Sequence, residues 1–440
     1  MTLNPLDRRL WHLAWPLMLT NITVPLLGLV DTAVLGHLDQ PDYLGAVAVG
    51  GNLFSILYWT FGFMRMGTTG LAAQAFGRRD DFAQSALLVR SLLLAIGIGL
   101  LLILLRAPLV SLGLQLMGAS ENVTELARGY TEIRIWSAPA VLCQYTLVGW
   151  LIGTQYPRGP MLMLILANTL NIGLDLLFVT VFGWNSRGVA AATAIAEYAA
   201  AGLGFWLVWT RRPADLVFDR RLLGKLADYR AILSVNRYIM VRTILLLLSL
   251  AFFTAQGAQQ GDTILAANAV LLTFLMLISN GLDGFANGAE ALVGESVGQR
   301  DRAHFRAVCR TALRWSVWGA GLFTLLFLVA GGWIISLLTS LPEVAGTARE
   351  FLPWIWLLPF AAVWSYLLDG IFIGATRTRD MQNTMVFSVV AVYLPVWWLS
   401  QGWGNHGLWL AITSLMLARA ASMGWLFLRH TREDRWFAGN

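Results

Sequence analysis

Residues 67–80 read GTTGLAAQAFGRRD, and residues 288–301 read GAEALVGESVGQRD, so a glycine-rich segment with the same Arg-Asp ending occurs twice along the chain. The offset between these two segments also pairs Gly149 with Gly370 and Gly153 with Gly374. A spacing held over so many positions indicates a duplication. We therefore predict that the chain consists of two copies of one structural unit.

The composition excludes a soluble protein. Hydrophobic residues make up 57% of the 440 residues and charged residues only 13%, whereas a soluble domain carries about 25% charged residues. The charges fall in short clusters between apolar stretches, and each stretch reaches the roughly 20 residues that cross a bilayer as a helix. The chain is predicted to be an all-α integral membrane protein.

Twelve apolar stretches can be counted, six in each copy. An even number of spans brings both copies into the membrane from the same side, so two six-helix bundles related by a pseudo-twofold axis along the membrane normal are predicted. We expect an N-terminal lobe at 1–210, a basic cytoplasmic linker at 211–231 and a C-terminal lobe at 232–440. The predicted spans are 14–36, 45–70, 84–105, 130–152, 160–182, 188–209, 232–256, 265–291, 311–338, 351–375, 382–401 and 407–428.

The basic residues predict the orientation. Of the 31 lysines and arginines, 22 fall on the side that holds both termini and five on the other side. Lys and Arg accumulate in cytoplasmic connections, so both termini are expected in the cytoplasm. The prediction is a multi-pass protein of a cell membrane, with the bacterial inner membrane as its location.

Several classes of function are not supported by any motif. No GxxxxGK[ST] loop, HExxH motif or soluble-domain-sized connection occurs, so neither ATP hydrolysis nor another enzymatic activity is expected. Cys143 and Cys309 lie apart and form no metal-ligand pattern. No basic run is interleaved with aromatics on a hydrophilic segment, which argues against nucleic acid as a partner.

Acidic residues inside predicted spans are the strongest candidates for function, because an ionisable group in the membrane is unfavourable unless it faces a cavity or a partner. Asp31 on the first span and Asp175 on the fifth are expected at similar depth in the outer half of the first bundle. Their counterparts in the second copy are Phe252 and Val396, so the duplicated scaffold does not require them. The acids within the spans are Asp31, Asp175, Glu197, Asp283, Glu290 and Asp369.

Two further polar residues are expected near these carboxylates. Asn171 lies one helical turn before Asp175, and Thr193 on the sixth span can reach the same pocket. Two carboxylates, an amide and a hydroxyl form an oxygen-rich site for a proton or, alternatively, for Na⁺ at Asp31 and Asp175; no other metal site is indicated. We predict that Asp31, Asn171, Asp175 and Thr193 form a cation-coupling site.

Tyr366 and Asp369 lie one turn apart in the inner half of the tenth span. Two interpretations of this pair are open. The pair contacts a substrate or a second cation, or Asp369 makes a hydrogen bond that holds packed helices together.

Several segments resemble one family of membrane proteins, and together they cover nearly the whole chain. Pro16 with Leu29-Val30-Asp31-Thr32-Ala33, the glycines Gly67 and Gly70 followed by Gln74, the run from Asn168 to Asp175 and the 6+6 duplication are similar to the multidrug and toxic compound extrusion (MATE) family. The stretches 45–48 and 369–374 most resemble its DinF-like branch.

The resemblance implies a secondary active antiporter that exports amphipathic, often cationic organic compounds in exchange for H⁺ or Na⁺ by alternating access. The resemblance places the family's cation site at Asp31, Asn171, Asp175 and Thr193. It places the bend of the first helix at Pro16. In the family's sodium-coupled NorM-like branch the seventh span carries a carboxylate; here that span holds Arg237 and Arg242 and no acid, so the resemblance favours H⁺ over Na⁺.

Membrane lipids and small amphipathic organic compounds are the expected partners. The chain is expected to work as a monomer and without a cofactor other than the coupling ion. The alternative is a flippase for lipid-linked oligosaccharides or lipids of the same superfamily. Such flippases resemble this chain but typically have fourteen spans and a cationic central cavity.

Overall fold

A computed structural model of the protein describes residues 4–35, 41–118, 120–211 and 222–437, without the side chains of 22–35, 41 and 226. Helices and short connections account for all of these residues, which contain no β-strand. The predicted all-α fold class is confirmed.

Sixteen α-helices are present in the described ranges. They are α1 Pro5–Leu35, α2 Pro41–Thr60, α3 Phe63–Gly77, α4 Asp81–Leu104, α5 Arg106–Met117, α6 Glu121–Arg134, α7 Ala138–Gly153, α8 Arg158–Asp175, α9 Asn185–Arg211, α10 Arg230–Gln259, α11 Asp262–Gln299, α12 Arg302–Leu338, α13 Pro342–Gly374, α14 Thr378–Phe387, α15 Leu394–Leu399 and α16 Asn405–Arg432.

These helices form the predicted twelve membrane spans. Eleven helical segments within the described ranges are long and apolar enough to cross a bilayer. Helix α1, with 31 residues, is the twelfth. Six spans belong to each half of the chain, as expected from the duplication.

The helices differ from the predicted spans in places. The second span is broken at residues 61 and 62 between α2 and α3, and the short helix α5 was not predicted. The fourth span begins at Glu121 and passes through a 3₁₀ turn, Ile135–Ser137. Pro139 follows that turn and explains the break, since its ring nitrogen cannot donate to the carbonyl of Ile135.

The chain folds into two compact units. One comprises Leu19–Leu233, and the other comprises Met1–Met18 together with Ser234–Asn440. The boundary between the two units lies one turn after the start of α10, just after the predicted linker at 211–231. Part of that linker lies outside the described residues. The segment Met1–Met18 departs from the predicted lobe at 1–210, because it belongs to the unit formed by the second half.

Charged contacts hold the start of α1 against α11 and α12 in that unit. Asp7 accepts hydrogen bonds from Arg314 and from the indole Nε1 of Trp315, the latter at 3.0 Å. Burial would raise the pKa of Asp7, but these hydrogen bonds outweigh it and hold the pKa below its usual range. Arg9 adds an ion pair of 2.7 Å with Glu295. Charge pairing that the hydropathy pattern does not reveal therefore explains the departure.

The sequence repeat is also a structural repeat. A Cβ atom built on Gly149 would lie less than 3.0 Å from the carbonyl oxygen of Arg65. A Cβ atom built on Gly370 would lie equally close to the carbonyl oxygen of Ala286. The offset of the sequence repeat relates these two contacts. It also relates Arg79 to Arg300, and both of these residues follow equivalent helices in the left-handed conformation. The same close helix approach therefore occurs once in each unit.

This approach makes a prediction for Gly370→Ala. The added methyl group must push α13 away from the backbone of α11, so we expect the free energy of unfolding to fall by about 1–3 kcal/mol. Gly346 is the matched control, because it lies on the same helix with no atom within 4 Å of an added Cβ. Unfolding in detergent should show Gly346→Ala at least as stable as the wild type; equal behaviour of the two variants would contradict the close approach.

Candidate cation-coupling site

Helices α8 and α9 bring part of the predicted cluster together. The amide Nδ2 of Asn171 donates to the hydroxyl of Thr193 at 3.0 Å, and that hydroxyl donates to the carbonyl of Val189 at 2.9 Å. Asn171 is 1% exposed, Asp175 0% and Thr193 5%. Because Asp175 follows Asn171 by one helical turn, it lies on the same face of α8. The three polar residues therefore share one buried region of the first unit.

The side-chain oxygen of Asn171 has capacity for a further ligand. The side-chain oxygen of Asn171 is buried and accepts no hydrogen bond from any described residue. Asp175 is the last residue of α8, and a π-helical turn, Leu176–Val181, follows it directly. Such turns are frequent at functional sites, because the wider turn changes the direction of neighbouring side chains. The arrangement suits a proton or a small cation.

Two other predicted residues lie on α1. Asp31 lies in the helical part of α1, but its side chain lies outside the described residues. Pro16 is buried in the same helix, where its ring nitrogen cannot donate to the carbonyl of His12. The division between the two units follows shortly after it, at Met18. Because α1 lacks a backbone hydrogen bond at Pro16, it can bend close to the boundary of the unit.

Sequence analysis missed an ion pair of the first unit. It named Glu197 as an acid within a span but gave it no partner; the Arg134 guanidinium lies 2.9 Å from the carboxylate of Glu197, and both side chains are less than one-fifth exposed. Arg134 also donates to the hydroxyl of Tyr130 at 2.7 Å. Glu197 follows Thr193 by one turn of α9, so the polar face extends beyond the predicted cluster. The one-turn spacings of Tyr130 with Arg134 and of Thr193 with Glu197 were the available signal.

Asp369 of the second unit lies between two arginines. Its carboxylate accepts hydrogen bonds from Arg242 on α10 and from Arg419 on α16, the latter at 2.6 Å. All three residues are buried, with Arg419 only 1% exposed. The neighbouring Tyr366 hydrogen-bonds with Ser279 of α11. This geometry favours the second interpretation of Asp369, a contact that holds helices together.

The MatE family model matches residues 16–177 and 239–399, one block in each half of the chain. The chain belongs to the MatE family. Its relatives agree with this: DNA damage-inducible protein F of Escherichia coli is 46% identical over 98% of this chain and 94% of its own length. A probable multidrug resistance protein NorM of Acinetobacter baylyi is 26% identical, with 93% of each chain covered.

A solved structure shows the same fold. A crystallised variant of the MATE transporter VcmN of Vibrio cholerae matches with a TM-score of 0.87 at 20% identity, over 99% of each chain. This MatE protein is thus a multi-pass membrane protein with the fold of a transporter.

The two buried clusters of this MatE protein differ in charge. The first combines an acid with neutral amide and hydroxyl groups. The second places one acid between two guanidinium groups, so its carboxylate is already paired with cations. Of these two clusters, the first has the chemistry to take up a cation.

Proposed function

We propose that this protein is a secondary active antiporter of a bacterial inner membrane, with both termini in the cytoplasm, that exports amphipathic cationic organic compounds in exchange for H⁺. The observation that carries this proposal is the buried cluster of Asp175, Asn171 and Thr193, since the carboxylate has no counterpart in the second repeat. The name of the Acinetobacter relative, a probable multidrug resistance protein, supports the substrate class. The proposal requires only one copy of the chain.

Proton binding at this cluster would be linked to its burial. A carboxylate removed from water is destabilised relative to its neutral acid, so protonation relieves an unfavourable charge. Asp31 completes the site in this proposal, and the bend of α1 at Pro16 transmits the change in charge. Exchange of one proton for one monovalent cation moves no net charge, so the pH difference drives it: each pH unit supplies about 1.4 kcal/mol, enough for roughly a tenfold concentration ratio of exported substrate.

Na⁺ is the alternative coupling ion. Carboxylate, amide and hydroxyl oxygens are the hard ligands that such a cation prefers. In the second unit, however, α10 holds no acid, and Asp369 is bound to two arginines. Neither α10 nor Asp369 therefore offers a carboxylate that could bind Na⁺ in the second unit. This supports H⁺ as the coupling ion.

Reconstituted vesicles distinguish the two ions. We expect export of a fluorescent organic cation when a pH gradient is imposed without Na⁺, and no export when a Na⁺ gradient is imposed at equal pH. Protein-free vesicles are the control for leakage. Export driven only by Na⁺ would overturn proton coupling, and export driven by neither gradient would overturn the antiporter itself.

A further inference from the structure

A cavity of about 460 Å³ lies within the second unit, apart from the clusters described above. The start of α10, the turn after α13, the start of α14 and the end of α16 line it. Three arginines, Arg377, Arg379 and Arg435, line it together with one acid, Asp380. The lining therefore carries an excess of positive charge.

The start of α14 adds to the attraction for an anion. This ten-residue helix begins at Thr378, its N-cap residue Arg377 makes no side-chain capping hydrogen bond, and the one acid of its first turn, Asp380, contacts His430. The free N–H groups and the dipole of a helix favour a negative charge at its N-terminus. The hydroxyl of Thr378 and the amide of Asn383 also line the cavity and can donate hydrogen bonds there.

A buried histidine forms another part of the wall. His430 is only 5% exposed, and its Nε2 lies 2.9 Å from a carboxylate oxygen of Asp380. The other ring nitrogen, Nδ1, is buried and has no hydrogen-bond partner among the residues that the structure describes. The rings of Trp436 and Phe372 pack around the imidazole. The cavity is thus bounded by a fixed, buried polar group and not by surface side chains alone.

The arginines of the cavity are held to different degrees. Arg377 donates to the backbone carbonyl of Arg435, and Arg435 forms an ion pair of 2.6 Å with Glu433. Arg379 is exposed and forms no ion pair with any residue in the described ranges. Its guanidinium therefore remains available for a ligand.

The duplicated scaffold does not require this cavity. The repeat offset aligns Arg377 with Tyr156 of the first unit, and a small shift in that offset aligns His430 with Arg211. There the Arg211 guanidinium lies 3.2 Å from the centre of the Tyr156 ring, as a cation–π pair. Arg158 is the counterpart of Arg379 and is likewise exposed. The first unit thus has the matching arginine without the histidine and carboxylate.

We propose that this cavity binds a phosphate group. Planar guanidinium groups match the oxygens of a phosphate in a two-pronged arrangement, and the helix terminus supplies backbone donors. The phosphate can belong to the headgroup of an anionic phospholipid such as phosphatidylglycerol, since basic pockets between helices on the cytoplasmic side bind such headgroups. It can also be a soluble phosphate. The proposal does not depend on transport, because binding is measured without a gradient.

The test uses the full-length protein and two probes. Phosphatidylglycerol is titrated into detergent-solubilised protein and its retention is read by native mass spectrometry, with phosphatidylcholine, whose choline cation offsets the phosphate charge, as the zwitterionic comparison. Inorganic phosphate is titrated calorimetrically into protein held in phosphatidylcholine nanodiscs. We expect Arg379→Gln to weaken binding of the effective probe by about tenfold or more. The matched control, Arg158→Gln, should bind as the wild type does.

The two probes distinguish a site for a lipid headgroup from a site for soluble phosphate. Retention of phosphatidylglycerol identifies a lipid headgroup site, and a heat of binding with inorganic phosphate identifies a site for soluble phosphate. Because Arg379 is exposed, its variant should unfold at the wild-type temperature without the probe. Failure of the wild type to bind either probe, or an equal loss in Arg379→Gln and Arg158→Gln, would overturn the proposal.

Discussion

Replacing Asp175 with Asn should reduce pH-driven export in reconstituted vesicles to the level of protein-free vesicles. Asn has nearly the same shape but cannot carry a proton near neutral pH. The variant therefore keeps the packing of α8 against α9 and loses only the titrating group. Export is measured with a fluorescent organic cation under an imposed pH gradient, as for the wild type.

Stability separates this result from simple misfolding. Removing a buried ionisable group without changing the shape should leave unfolding in detergent unchanged or slightly more favourable for the folded state. Asp262→Asn is the control, since Asp262 is exposed at the start of α11 and its variant should export normally. Asp31→Asn should resemble Asp175→Asn if both acids form the coupling site. Full pH-driven export by Asp175→Asn would contradict the proposed role of this acid.

Replacing Asp369 with Asn should produce the largest loss of stability. The substitution removes the carboxylate that the buried guanidinium groups of Arg242 and Arg419 both contact directly. Removing one partner of a buried ion pair destabilises a protein by about 3–5 kcal/mol. We expect this loss in the unfolding of purified protein in detergent, with correspondingly little protein recovered from the membrane.

Two further variants isolate the charge effect. Ser365 lies one turn before Asp369, and its hydroxyl donates to the carbonyl of Ala362, so Ser365→Ala should cost only about 1 kcal/mol. Changing Arg242 and Arg419 to Met together with Asp369→Asn removes the buried guanidinium charges as well and should restore most of the lost stability. If Asp369→Asn were as stable as Ser365→Ala, Asp369 would not be the counter-ion of the two arginines.

The features that could be predicted from sequence depend on local patterns. The twelve spans follow from the length and polarity of apolar stretches, and the two-unit organisation follows from the repeated glycines such as Gly149 and Gly370. Asn171 and Asp175 could be placed on one face, because both lie on one helix a single turn apart. The contact of Asn171 with Thr193 needed only two consecutive spans.

The features that were missed depend on packing between distant segments. Arg134 and Glu197 are 63 residues apart, and Arg242 and Asp369 are 127 residues apart. Hydropathy reports that each of these charges is unfavourable in the membrane, but it does not say which partner compensates it. The association of Met1–Met18 with the second unit has the same origin, in the ion pairs of Asp7 and Arg9.

Proton coupling at the α8–α9 cluster is tested most directly by the protons released when a fluorescent organic cation binds to purified protein in a weakly buffered solution. Competition between the two cations at linked sites predicts release of about one proton for each bound substrate cation by the wild type. Asp175→Asn should bind the substrate and release none. Substrate binding by the wild type without proton release, or unchanged release by Asp175→Asn, would contradict proton coupling at this cluster.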